Sequence, residues 1–189
     1  FAAPAETKGK IDMNWSTEKK LKTVASLIEK DLKDLTVFVL DKPRHRGLVE
    51  EIHQAGARVT LYPAGDVAGA IMAAIPDTEV DVLMGTGGTP EGIISACAIR
   101  AMGGEFQGRI NPQLATEIVS VRNAGFDTER WYERDELIGS DDVHFCATGI
   151  TSGLLFRGVK LTKHHFKTET LIVTGASKEQ VSLTNWHNR

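Results

Sequence analysis

Leu35-Thr36-Val37-Phe38-Val39-Leu40-Asp41-Lys42-Pro43-Arg44-His45 is the stretch that decides the fold. Its apolar part is of strand length and does not alternate, which suits a strand buried on both faces of a parallel sheet. The run stops at Asp41-Lys42, and Pro43 opens a helix at the first-turn position, where no intrahelical N–H bond is lost. Leu48, Val49 and Ile52 give that helix an apolar face, and Gly56 ends it. The same unit recurs downstream. Arg58–Tyr62 reads as a strand, Gly65-Asp66 as a turn and Val67–Ile75 as a helix of small residues. Val80–Met84 is the next strand, Gly85-Thr86-Gly87-Gly88 its loop, and Thr89–Met102 a helix closed by Gly103-Gly104. Repeated strand–loop–helix units predict an α/β fold: a parallel-rich, doubly wound sheet with helices on both faces and right-handed crossovers.

Upstream, residues 1–16 show no periodicity and read as a lead-in segment to a domain spanning 17–189. A helix follows, with Thr17 as N-cap and Leu21, Val24, Ala25, Ile28 and Leu32 at helical spacing. Downstream, Leu114, Ile118, Val119, Trp131 and Leu137 mark amphipathic helix material. Val143–Thr148 reads as another buried strand, and Gly149–Gly153 as a pocket lining or a strand-ending turn. Val159–Thr174 alternates and predicts a hairpin or edge strands, an antiparallel C-terminal edge to the sheet.

The composition narrows the function classes. Of 189 residues, 41% are hydrophobic and 25% charged, ordinary for a globular chain with a sizeable core. The net charge of −3, from 22 basic and 25 acidic residues, argues against a general nucleic-acid binder but leaves room for a local basic pocket. No run approaches the ~18 apolar residues of a membrane span. Cys97 and Cys146 lie far apart in apolar settings, so two reduced core thiols of a cytoplasmic protein are expected. Phe1–Ala5 lacks the pattern of a signal peptide and no initiator methionine is present, so a fragment or processed product is expected.

In doubly wound sheets ligands bind at the carboxyl ends of strands, and three loops there carry chemistry. Lys42 and Arg44 place a point charge and a bidentate fork beside a helix N-terminus, a combination suited to phosphate. Pro63-Ala64-Gly65-Asp66 offers a close backbone approach and a carboxylate able to accept from sugar hydroxyls or to cap the next helix. Gly85–Gly92 strips side chains from a strand-to-helix turn and puts Glu91 in the first turn, as a dipole complement or a hard-cation ligand. It is neither a Walker A loop nor a dinucleotide fingerprint in register.

Taken together, Asp41-Lys42-Pro43-Arg44, Gly65-Asp66-Val67-Ala68, Gly87-Gly88-Thr89-Pro90-Glu91-Gly92 and Gly103-Gly104-Glu105-Phe106-Gln107 resemble the class II fructose-1,6-bisphosphatases, from about Lys10 onward. The resemblance implies a sugar-phosphatase-like α/β fold and a phosphatase that uses Mn²⁺ or Mg²⁺ to remove the 1-phosphate of fructose 1,6-bisphosphate in gluconeogenesis. Some relatives also take sedoheptulose 1,7-bisphosphate. It further implies a cytoplasmic homo-oligomer in the complete enzyme. Residue by residue, Lys42, Pro43 and Arg44, Ala64, Gly65 and Asp66, and Gly88 match substrate-binding positions, and Glu91 matches a metal ligand. Family members often have aspartate where this chain has Ala64, so the match there concerns the backbone. The family's catalytic groups and most of its metal carboxylates lie in an N-terminal half, which the resemblance places outside this chain.

Two rival readings are a non-catalytic sugar-phosphate-binding module and a partner domain inert without that half. His164 and His165, adjacent on an expected strand, would face opposite ways and cannot share a metal. His53 and His144, in amphipathic elements, read as structural histidines. No GxSxG elbow supports a serine hydrolase.

Overall fold

A computed structural model describes residues 1–189. In chain order its elements are β1 (Ala2–Ala3), α1 (Thr17–Leu27), β2 (Thr36–Leu40), α2 (Arg46–Ala55), β3 (Arg58–Tyr62), α3 (Asp66–Ala74), β4 (Val82–Leu83), α4 (Thr89–Met102), β5 (Glu105–Gly108), α5 (Ala115–Asn123), β6 (Tyr132–Glu133), α6 (Arg134–Leu137), β7 (His144–Thr148), β8 (Lys160–Leu161), β9 (His165–Thr174) and β10 (Glu179–Asn188). Six strands form one sheet in the order β3-β2-β4-β1-β5-β6, with β2 parallel to both β3 and β4.

The unalternating run of β2 is apolar because both of its faces are covered. Val37 and Val39 pack with Leu21, Val24 and Ile52 of α1 and α2. Phe38 and Leu40 turn the other way, onto Ala70, Ala73, Ala96 and Ile99 of α3 and α4. Phe38 stacks on Tyr62 with ring centroids 5.0 Å apart. A Cβ at Gly69 would fall 2.7 Å from the Phe38 ring, so α3 approaches the sheet closely only because that position is bare. The second sheet, β10-β9-β7 with β8 on β9, is antiparallel throughout. Its Val143, Phe145, Leu171 and Val173 pack on Ile71, Ala98 and Ala101, the far side of α3 and α4. The small residues of α3 and α4 are thus explained: they lie between two sheets. No helix is long and apolar enough to cross a membrane.

Several expectations are corrected. Residues 1–16 do not merely lead in: Ala2 and Ala3 pair with β4 and β5 inside the sheet, and Phe1, Ile11 and Met13 join the core. A two-residue strand is too short to show a period. The N-cap of α1 is Ser16, whose hydroxyl accepts from the Lys19 N–H at 3.3 Å. Of Val80–Met84 only Val82–Leu83 pairs as a strand. The antiparallel edge is a separate sheet, and its last strand, β10, lies beyond the alternating stretch. Leu114, just before α5, and Ile118 and Val119 within it do not face a core, since all three are exposed. Cys146 is exposed rather than a core thiol, and Cys97 is half-buried. Gly149, directly after β7, packs against the returning backbone: a Cβ there would fall 2.5 Å from the Arg157 carbonyl oxygen.

One charge cluster ties the amino-terminal segment to the helices. Asp135 accepts from Arg134 Nε at 2.6 Å and from Lys8 Nζ at 3.0 Å, and Arg100 Nη1 pairs with it without hydrogen-bond alignment. The Arg134 guanidinium, with Lys8 behind it, holds the Asp135 carboxyl well below the usual carboxylate range. A depressed native pKa contributes stability above the unfolded value of about 3.9 and loses it as pH falls below that value. Because the Asp135 side chain is 43% exposed, solvent screening limits the contribution. Asp135→Asn is expected to cost about 1 kcal/mol at about pH 7. Denaturant melts should show the gap to wild type narrowing as pH falls below about 4 and closing only well below about pH 3, whereas a constant gap would contradict the pairing.

Candidate functional site

β2, β3 and β4 are parallel neighbours, so their carboxyl ends lie side by side and bring the three sequence-predicted loops to one edge. From β2 the chain passes through α2 to β3 on one side, then through α3 back across β2 to β4 on the other. The order reverses between β2 and β4, which is where an open α/β sheet forms its ligand crevice.

The loop after β2 folds as a 3-10 turn, Pro43–His45, before α2 begins at Arg46, so Pro43 opens that turn rather than the α-helix. Lys42 is half-buried and Arg44 exposed, and no carboxylate lies within ion-pair distance of either. Arg44 donates from Nε and Nη2 to the Thr86 carbonyl oxygen at 3.0 and 2.6 Å, linking the first loop to the third. That bifurcated bond fixes the guanidinium plane.

In the second loop Gly65 has φ 101°, a conformation glycine adopts without strain, and it stands as N-cap of α3 with no side-chain cap. Ala64 is exposed. Asp66 accepts only from the Val67 N–H, at 3.2 Å, so it does not cap α3. Its carboxylate points at the third loop: a Cβ at Gly87 would fall 2.5 Å from Oδ2.

In the third loop Gly88 is the N-cap of α4, again without a side-chain cap. The Glu91 carboxylate folds back over Gly88, into the space a side chain there would fill. α3 and α4 begin without a side-chain cap, whereas α2 continues the Pro43–His45 turn, in which the Lys42 and Pro43 carbonyls accept the His45 and Arg46 N–H groups. The uncapped helix N-termini at this edge are therefore those of α3 and α4. Lys42 and Arg44 stand beside them, and Asp66 and Glu91 supply oxygen acceptors at the same edge.

Sequence reasoning missed His45. Its ring is buried at 4% exposure, and Nδ1 lies 2.7 Å from the Leu40 carbonyl oxygen while Nε2 accepts from the Thr86 N–H at 2.8 Å. The signal was present in the loop it shares with Arg44, but a histidine beside two stronger phosphate ligands attracts no weight. The histidines that were weighed lie elsewhere: His53 and His144 are exposed, and His144 sits 3.3 Å from Asp142. His164 and His165 meet edge-on, with ring centroids 6.4 Å apart. The chain brings no three His, Cys, Asp or Glu side chains together as a metal site. Two hollows lie away from the loops: one of about 460 Å³ along α1, and one of about 260 Å³ beside Trp131. Neither touches a candidate residue.

The chain is thus an α/β domain whose three candidate loops meet at the topological switch point of its sheet. The family described as "Bacterial fructose-1,6-bisphosphatase, glpX-encoded" matches residues 1–187, and the chain belongs to that family. It is 40% identical over 196 residues to a Haemophilus influenzae protein named fructose-1,6-bisphosphatase class 2, covering 97% of this chain and 59% of that one. A Synechococcus elongatus protein named D-fructose 1,6-bisphosphatase class 2/sedoheptulose 1,7-bisphosphatase is 39% identical over 191 residues, covering 94% of this chain and 55% of that one. The chain therefore spans less than two thirds of the length of these relatives.

Proposed function

We propose that this chain is the sugar-phosphate-holding part of a phosphatase that hydrolyses the 1-phosphate of fructose 1,6-bisphosphate, giving fructose 6-phosphate and phosphate in gluconeogenesis. The observation that carries the reading is the convergence of Lys42, Arg44 and the uncapped N-termini of α3 and α4 at one edge. Lys42 and Arg44 hold the phosphate that is not cleaved. Pro43 sets the turn that presents them, Ala64 and Gly65 offer backbone, and Asp66 with the Gly88 backbone orients the sugar. The cyanobacterial relative's name extends the proposed substrates to sedoheptulose 1,7-bisphosphate. A cytoplasmic homo-oligomer belongs to the same proposal.

Glu91 is proposed as one ligand of Mn²⁺ or Mg²⁺. Such cations want about six oxygen ligands, and this chain gathers no such set. Its residues do not complete a coordination sphere, and their part in the reaction is to bind and orient substrate. For the 189-residue chain by itself we expect binding without turnover. That outcome is shared with the second reading, a binding module without chemistry. Turnover is therefore assayed in a chimera in which this chain replaces the matched segment of the Haemophilus relative. In that chimera Arg44→Ala is expected to raise KM about tenfold or more with kcat within about twofold, because a charged hydrogen bond to a spectator phosphate is uniform binding. A fall in kcat at unchanged KM would instead make Arg44 a transition-state group. A chimera inactive with every divalent cation would sink the phosphatase reading.

A further inference from the structure

We propose that His45 is a positioning residue of this site, acting through Thr86 to hold the Arg44 guanidinium and the Gly85–Glu91 segment in register. The inference rests on the sugar-phosphate reading above and adds to it a residue with no substrate contact of its own. Both ring nitrogens of His45 are engaged, and the partners fix their roles. Leu40 offers only a carbonyl oxygen and Thr86 only an N–H, so Nδ1 carries the proton and Nε2 is bare. Gly85 is shaped around the ring: a Cβ there would fall 3.1 Å from His45 Cε1, and its φ of +148° suits glycine.

Thr86 is thereby held at both of its backbone groups by consecutive residues of the first loop. His45 takes the N–H and Arg44 takes the carbonyl oxygen. On its other side, Asn111 Nδ2 donates to Thr86 Oγ1 at 3.4 Å. Beyond the strand pairing itself, Thr86 joins the two loops that leave the ends of β2 and β4 and frame the crevice. The Thr86 carbonyl aims the Arg44 fork, and the Thr86 N–H fixes where that carbonyl lies. Without the His45 acceptor, a backbone N–H beneath the loop loses its partner and the carbonyl is free to turn. Arg44 then meets phosphate without a preset orientation, at a cost in affinity.

The experiment titrates the 189-residue chain with fructose 6-phosphate by calorimetry, in wild type, His45→Phe, His45→Gln, Arg44→Ala and the Arg44→Ala/His45→Phe double variant. Phenylalanine keeps the ring and removes both polar contacts, whereas the glutamine amide can restore the acceptor at the Nε2 position. His45→Phe should weaken binding about tenfold, and His45→Gln should stay within about threefold of wild type. In the Arg44→Ala background His45→Phe should weaken binding less than it does in wild type, because the part of its effect that runs through the Arg44–Thr86 bond is already lost. Equal weakening by Phe and Gln, wild-type binding by both, or additive losses in the double variant would overturn the assignment. A parallel ¹⁵N NMR measurement decides the geometry without ligand. His45 Nε2 should resonate as an unprotonated nitrogen coupled to the Thr86 amide, and His45→Phe should shift the Gly87, Gly88 and Glu91 amides while His45→Gln leaves them in place. A protonated Nε2, or unmoved amides in His45→Phe, would also overturn it. If wild type does not bind fructose 6-phosphate, the sugar-phosphate reading fails, and the NMR arm still tests His45.

Discussion

Glu91→Gln is expected to lower phosphate release by the chimera about 100- to 1000-fold, with partial recovery at most in excess Mn²⁺. A divalent cation stabilises several kcal/mol of developing charge at a phosphoryl group, and each 1.36 kcal/mol is about a factor of ten in rate. Glutamine keeps the size of Glu91 and its place in the first turn of α4, and removes only the charge that a hard cation prefers. The same substitution should barely move thermal stability without metal, because a first-turn carboxylate complements the helix dipole by only about 0.3–1 kcal/mol. If Glu91 is no more than that complement, the pattern reverses to slight destabilisation with activity kept. Phosphate release across a Mn²⁺ titration, read beside melting curves, separates the two. Near-wild-type turnover in the variant removes Glu91 from the site.

Phe38→Ala carries the largest expected effect on stability, a loss of about 3–5 kcal/mol. The Phe38 ring is fully buried, stacks on Tyr62 and fills the space left bare at Gly69. Its neighbours Ala70 and Ala73 are too short to close the void. Against a typical total of about 5–15 kcal/mol, the loss leaves a marginal fold. Chemical denaturation of the 189-residue chain is the measurement. A loss under about 1 kcal/mol would mean that α3 collapses onto the sheet. The first and second loops should loosen as well, because β2 and Tyr62 lead straight into them.

The elements legible in the sequence were those whose burial leaves a pattern long enough to read. β2 showed as an apolar run because it is covered on both faces, and α4 matched Thr89–Met102 because Pro90 and Gly103 punctuate its ends. β1 was invisible: two alanines are a strand only because β4 and β5 flank them. The apolar positions of α5 suggested a core-facing helix, yet Ile118 is 44% exposed and Val119 57%, since periodicity reports that a face exists and not what lies against it. The site fared similarly. The charges and glycines of the three loops were readable, and parallel pairing alone puts them at one edge. The Arg44–Thr86 and His45–Thr86 bonds join residues more than forty positions apart, and no local pattern announces such a pair. Asp66 was open between cap and ligand in the sequence. Its side chain takes no cap position and turns toward Gly87.

The central claim is that the loops after β2, β3 and β4 form one sugar-phosphate site. A ¹⁵N–¹H NMR titration of the 189-residue chain with fructose 1,6-bisphosphate tests it most directly. Saturable shifts are predicted together at Lys42–His45, Gly65–Val67 and Thr86–Glu91, with one common dissociation constant. Shifts confined to the hollow beside Trp131, or no saturable shift at the three loops, would contradict the account.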